Sequence, residues 1–292
     1  MRKTLKIELK KAFCSQYFVF GLCLLMLFAV LSALYMIENR VGYNPDSVNH
    51  YLKDGKLTTN PDLPLFGFYS AWIGGEDLSL AYILFYTLLP VGAALPFGWS
   101  YYTERKSGYL KNIASRIDKR TYLFSKAIAA FAAGMLVVLL PLLVNVFLVS
   151  AFVPTCDPFA GYTFYNHVYF GNMWVDLYFT HPFLHMVLYI LLDTLYGGIF
   201  ALFSLAISFY LKNIFAVVFL PFLLMLVAGY VERMIITGFP DRLPLEFVPT
   251  QFLHAGSAQG QVMSWAVILV TFLLLGFSVL TVYIRGSKDE IF

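Results

Sequence analysis

The chain has 292 residues, of which 60% are hydrophobic, 18% aromatic and only 13% charged, with a formal net charge of +3 and a mean hydropathy of +0.73. Soluble domains carry about 25% charged residues, so this composition excludes a water-soluble domain, a disordered chain, a collagen and a disulfide scaffold. Unbroken apolar stretches such as residues 22–33 and 135–149 also exclude a β-barrel, which needs segments of about ten residues alternating in polarity.

What remains is an all-α membrane protein, read as one transmembrane domain over residues 1–292 with six helices of ~20 residues and no room for a soluble catalytic domain. In the N-terminal stretch, 1–16, Leu5, Leu9, Ala12 and Phe13 recur at helical spacing while Lys3, Lys6 and Lys10 fall elsewhere. That pattern predicts a basic amphipathic helix suited to an anionic membrane surface. The first span, 17–37, exits through Tyr35, Met36, Ile37 and Glu38 without a small-residue cleavage site, so it reads as a retained anchor rather than a signal peptide. A long loop to residue 79 has turn formers at Asn44-Pro45, Asn60-Pro61 and Gly74-Gly75. The second span is 80–101, the basic connection 103–120 and the third span 122–152. A loop rich in Tyr162, Phe164, Tyr165, Tyr169, Phe170 and Trp174 suits the interfacial belt. The fourth span, 182–211, is joined by Lys212 and Asn213 to the fifth, 214–236. A last loop with Pro240, Pro244 and Pro249 precedes the sixth, 262–284. Pro90, Pro96, Pro141 and Pro221 fall inside spans, where neighbouring helices accommodate kinks.

Orientation follows from the positive-inside rule. The tail residues Arg2, Lys3, Lys6, Lys10 and Lys11, seven basic residues from Arg105 to Lys126, and Lys212, Arg285 and Lys288 all fall on one side. Only Arg40, Lys53, Lys56, Arg233 and Arg242 fall on the other. Both termini are therefore expected in the cytoplasm, with the chain multi-pass in the cell membrane.

The connection 103–120 is too long for a hairpin and too short for a domain. Leu110, Ile113 and Ile117 recur at three and four residues, which predicts a short helix with an apolar ridge able to enter a soluble partner's groove. Gly108 is placed to break the preceding helix. Glu104, Gly108, Tyr109 and Lys111, followed by Ser115-Arg116 and then Lys126, resemble the ABC-2 type transporter permeases, the six-span membrane subunits of ATP-driven exporters. One departure is Tyr109, where the family most often has Thr. The resemblance extends over essentially the whole chain, through the basic N-terminal helix, the long first loop and the short Lys212-Asn213 connection.

That resemblance implies a coupling helix in contact with a separate ATPase, to which Glu104, Arg105, Lys106, Gly108, Tyr109, Lys111, Ile113, Arg116 and Ile117 would belong. Glu104 would cap or brace the helix, and Arg105, Lys106 and Lys111 would face acidic groups on the ATPase. It also implies two ATPase copies carrying ATP and magnesium, and a second permease, identical or different. The other surroundings are the lipid bilayer and no nucleic acid. The cargo would be hydrophobic or amphipathic, such as a peptide, lipid or antibiotic. The chain has no G-x-x-x-x-G-K-[ST] loop, so it is not itself expected to be an enzyme, nor to carry a cofactor or metal. Residues 257–261 resemble an ABC signature only by chance.

Asp193 lies inside a span, where a charge costs roughly 2.5–3.5 kcal/mol on insertion scales. It is a candidate for the translocation path or a dimer seam, against a hydrogen-bonded Asp near Thr194 and Tyr196, and the resemblance makes Glu232 and Arg233 candidates for an outer gate, against a plain interfacial salt bridge. The alternative from the residues alone is an intramembrane metal-dependent enzyme using His181 and His185, four apart on one helical face. Cys14, Cys23 and Cys156 offer no framework within the chain.

Overall fold

The computed structural model describes residues 2–41, 50–53, 56–59, 66–114, 116–158, 167–168, 171–238, 245–256 and 260–288. The turn formers Asn44, Pro45, Asn60 and Pro61, the aromatics Tyr162, Phe164, Tyr165, Tyr169 and Phe170, and Ser115, Pro240, Pro244 and residues 257–259 lie outside them.

The chain starts with α1 (Arg2–Phe13) and enters α2 (Gln16–Val41), capped by the Ser15 hydroxyl, which accepts from the Phe18 N–H at 3.0 Å. An antiparallel hairpin pairs β1 (His50–Lys53) with β2 (Lys56–Thr59). A 3-10 turn at Phe68–Ser70 leads to α3 (Leu80–Ala94), α4 (Ser100–Lys106), α5 (Tyr109–Ala114) and α6 (Lys119–Phe152). After α7 (Val175–Thr180) come α8 (Pro182–Ile207), α9 (Ile214–Gly238), α10 (Pro249–Phe252) and α11 (Ser264–Lys288). Five of these helices, α2, α6, α8, α9 and α11, are long and apolar enough to cross a bilayer, the mark of a multi-pass membrane protein.

The helix expected over 80–101 is broken. α3 stops at Ala94, residues 95–99 form turns, and the chain resumes as α4. Pro96 has no N–H to continue the ladder, and the Trp99 indole donates to the Leu95 carbonyl at 2.8 Å, satisfying a group the break would orphan. Pro90, Pro141 and Pro221, by contrast, sit inside α3, α6 and α9.

Helix α8 forms the axis of the bundle. Within its apolar stretch 83% of residues are buried inside the chain, against 17% for α9 and 22% for α11. A helix apolar all round buries every face, whereas α9 and α11 leave broad apolar faces uncovered. The most extensive packing is between α6 and α8, and α6 also packs along α2. Close approach there depends on small residues: a methyl group built on Gly197 would lie 2.7 Å from the Gly134 carbonyl oxygen.

At the end away from the N terminus, the connecting segments are laced together. Residues 66–79 fold back under the bundle, with Trp72 and Ile73 buried. The Ile73 N–H donates to the Asn145 side-chain oxygen at 2.9 Å, while the Asn145 amide donates to the Ala29 carbonyl at 2.8 Å. The Ala255 N–H reaches the Gly74 carbonyl and the Val262 N–H the Gly171 carbonyl, each at 2.9 Å.

Gly197→Leu is expected to wedge α6 from α8 and destabilise the chain by roughly 1–3 kcal/mol. Thermal unfolding in detergent measures this, with Gly276→Ala, where nothing lies within 4 Å, as a control that loses no stability and gains up to about 1 kcal/mol of helix propensity.

Candidate functional site

Where α1, α4 and α6 meet, four charges are drawn out of solvent. Glu8 and Lys11 stand three apart on α1, and Tyr122 and Lys126 four apart on α6, so each pair shares one helical face. Glu104, from α4, enters between them. Lys11 Nζ lies 2.8 Å from Glu8 Oε1 and 3.0 Å from Glu104 Oε1. Lys126 Nζ lies 2.6 Å from Glu104 Oε2 and 3.2 Å from Glu8 Oε2. The four groups close a ring of alternating sign with no net charge. The Tyr122 hydroxyl donates to Glu104 Oε2 as well.

The ring is largely dry. The side chains of Lys126 and Glu8 are 1% and 2% exposed, that of Glu104 14%, and that of Lys11, at the rim, 32%. Aromatic faces cover the two ammonium groups: Lys126 Nζ sits 4.8 Å from the Phe97 ring centroid, and Lys11 Nζ 4.5 Å from that of Tyr109. Burial opposes charge on Glu104, but the pairing and hydrogen bond with Lys126, then Tyr122 and Lys11, outweigh it and hold the carboxyl below the usual range. Burial likewise opposes charge on Lys11, and Glu8 and Glu104 outweigh it to hold the ammonium above its ordinary range.

The turn above the ring is made by local chemistry. Gly108, at φ +73°, separates α4 from α5 in a left-handed conformation that suits glycine. Asp118 caps α6 by accepting from the Thr121 N–H at 3.1 Å. The partners of the Glu104 carboxylate, Lys11, Lys126 and Tyr122, lie on α1 and α6. The apolar ridge expected to enter a partner's groove points inward. Leu110 is fully buried and Ile113 nearly so, with Ile117 partly buried against the same cluster as Ala12, Tyr101 and Tyr122. The physical reason is the proximity of α1 and α6, whose apolar faces cover the ridge. Arg105, Lys106, Lys111 and Arg116 are exposed, and so is Tyr109 on its outer side.

The face of α1 expected to rest on lipid also packs inward. Ala12 is buried, Leu9 and Phe13 lie against the same cluster, and Glu8 is drawn in with them. Sequence reasoning missed Glu8, Lys11 and Tyr122 as members of a site. The available signal was Glu8, an isolated acid in a tail with five basic residues, at helical spacing from Lys11.

The other candidates lie toward the opposite end. Asp193 is buried, and Oδ2 accepts from the Tyr86 hydroxyl at 2.9 Å, joining α8 to α3. The Tyr86 ring meets His254 edge-on, and His254 in turn reaches the Glu76 carbonyl oxygen. Glu232 accepts from the Phe247 N–H, tying α9 to the segment before α10. Arg233 borders a cavity of about 530 Å³ with Tyr82, Tyr86 and His254. His181 is exposed at the start of α8, while His185 is buried with its ring 4.8 Å from that of Tyr189 and 5.2 Å from that of Tyr178. Among the described residues, no group of three His, Cys, Asp or Glu side chains is placed to hold a metal.

Two outcomes are expected of the ring. Glu104→Gln leaves Lys126 buried and half-paired and destabilises by roughly 3–5 kcal/mol, while adding Lys126→Met recovers part of that loss; thermal unfolding of the singles and the double measures the coupling. The ionised Glu104 stabilises fully above its unfolded value of about 4.5, and that contribution is lost as pH falls through its lower folded value. Unfolding temperature should therefore drop on acidification below that point in the wild type, and less steeply in Glu104→Gln.

No family model, curated protein or solved structure matches this chain.

Proposed function

We propose that this chain is the membrane-spanning permease subunit of an ATP-driven exporter of the ABC-2 type, moving a hydrophobic or amphipathic cargo such as a peptide, lipid or antibiotic. The observation that carries the reading is the closed ion ring. It ties the α4–α5 turn to α1 and to the 34-residue α6, so a push on the turn has a rigid connection into the bundle. Supporting it are Glu104, Gly108, Lys111 and Arg116 at the spacing of the family's coupling segment, and the surface run of Arg105, Lys106, Lys111 and Arg116 beside Tyr109. These residues meet acidic groups on two copies of a separate ATPase, which bind ATP and magnesium.

On this reading α3 makes a sixth crossing. Its 15 residues span about 22 Å, and the turn at 95–99 with α4 carries the chain the rest of the way. Both termini then lie in the cytoplasm and the protein sits in the cell membrane. A second permease, identical or different, packs against the uncovered helix faces. Asp193 lies on or beside the cargo path and Glu232 and Arg233 at its outer gate. Closure of the ATPases biases the bundle between two arrangements.

The test is affinity purification of the full chain from native membranes in mild detergent. A stoichiometric ATPase subunit is expected with the wild type and lost in Lys111→Glu/Arg116→Glu, with the unfolding temperature of that variant unchanged. Absence of any ATPase across several gentle detergents, or its full retention by the charge-reversed variant, overturns the proposal.

A further inference from the structure

The acids of the ion ring and of the first connection are well supported. Glu8 and Glu104 each contact two lysines. Glu76 accepts from the Ser32 and Ser79 hydroxyls and from the Leu78 and Ser79 N–H groups. Asp193 has neither kind of support. It is fully buried near the middle of α8, a helix long and apolar enough to cross a bilayer. Its Oδ2 accepts from the Tyr86 hydroxyl at 2.9 Å, and its Oδ1 has no partner. Among the described residues, the Tyr86 hydroxyl is the one group bonded to it.

No cation balances a charge there. The stretches 127–152 of α6 and 264–282 of α11, helices that pack against α8, contain no titratable residue. Tyr189 faces Asp193 from its own helix, and Glu76 lies near Tyr86. His254 meets only the edge of the Tyr86 ring. Helix α9 brings Tyr230 and Arg233 to the cavity of about 530 Å³ that Tyr86 also borders, with Glu232 tied to the Phe247 N–H. A carboxylate in the middle of a spanning helix, with one neutral donor, is too costly to keep its charge. A neutral carboxyl removes the charge and leaves one unpaired polar atom, a far smaller penalty.

We propose that Asp193 is a proton-binding site that holds one proton at neutral pH and exchanges it with the cavity through Tyr86. A phenol both donates and accepts, so the pair can run in either direction. To release the proton, the carboxyl hydrogen passes from Oδ2 to the Tyr86 oxygen while the phenol's own hydrogen leaves to water in the cavity. Tyr86 ends as a phenol, Asp193 as a carboxylate and the water as hydronium. Held neutral, the pair joins α8 to α3 without charge. Ionised, Asp193 demands water or a cation beside it, which parts the two helices, so the cavity wall shifts with occupancy of the proton site. The assignment stands whether or not the chain is an exporter.

The experiment is infrared spectroscopy of the full chain in phosphatidylcholine vesicles at neutral pH, with heavy carbon in the aspartate side-chain carboxyl. A carboxylic-acid C=O band that moves with the label is expected, because ordinary aspartates are ionised under those conditions. The label separates this band from that of Glu76 without any substitution. Asp193→Asn, which keeps an oxygen for Tyr86, should remove the band. Tyr86→Phe should keep it and slow its shift on transfer to heavy water roughly 100-fold, the lower end of what a positioned proton donor contributes. Absence of an aspartate-derived band in the wild type overturns the proposal, and so does its survival in Asp193→Asn. Unchanged exchange in Tyr86→Phe overturns the route through Tyr86. A wild-type band that appears only when sodium is replaced by choline assigns the carboxylate to a metal cation, which overturns the proton.

Discussion

Four charges buried at one place constrain everything around them. Removing a carboxylate or ammonium from water costs several kcal/mol, and mutual attraction in a low-dielectric setting offsets it only when every partner is in position. Glu8, Lys11, Glu104 and Lys126 meet that condition because each contacts two neighbours of opposite sign. The ring cannot be half-formed without leaving a buried charge exposed to that cost. Its consequence is geometric: α1, the α4–α5 turn and α6 are held in one arrangement, and an alternative arrangement has to re-pair all four groups or admit water to them.

The two ends of the bundle are stitched by different chemistry. Near the N terminus the stitching is ionic and sits under a surface rich in Arg and Lys. At the other end hydrogen bonds dominate: Asn145 bridges Ala29 and Ile73, Ser32 donates to Glu76 at 2.6 Å, and Tyr86 donates to Asp193. Between them α6 and α8 run in near-backbone contact at Gly134 and Gly197. This closely packed helix pair is what joins the ionic end of the bundle to the hydrogen-bonded one.

Much of this architecture was legible from residue order. Unbroken apolar runs place the five long apolar helices to within a few residues of their ends, since a helix in lipid must satisfy its own backbone and tolerates few polar side chains. Gly108 announced its break because a left-handed turn favours a residue without a side chain. The family-like spacing picked out Glu104. What stayed illegible was partnership: nothing local says that Glu104 pairs with a lysine 22 residues onward and another 93 residues back.

Three features mark where local pattern and final structure part. The ridge of Leu110 and Ile113, and the apolar stripe on α1, are equally suited to lipid, a partner or the chain's own core, since burial of apolar area is non-directional. Tertiary packing chose the core. The break after Ala94 arises where an uninterrupted apolar run meets Pro96 and a bundle that receives Gly98 against Ser204 of α8. Composition, span positions and charge asymmetry thus follow from the sequence by itself, because they depend on each residue's own affinity for water or lipid. The ion ring, the inward ridge and the break between α3 and α4 depend on which faces meet across 22 to 118 residues of chain, and only the folded arrangement decides that.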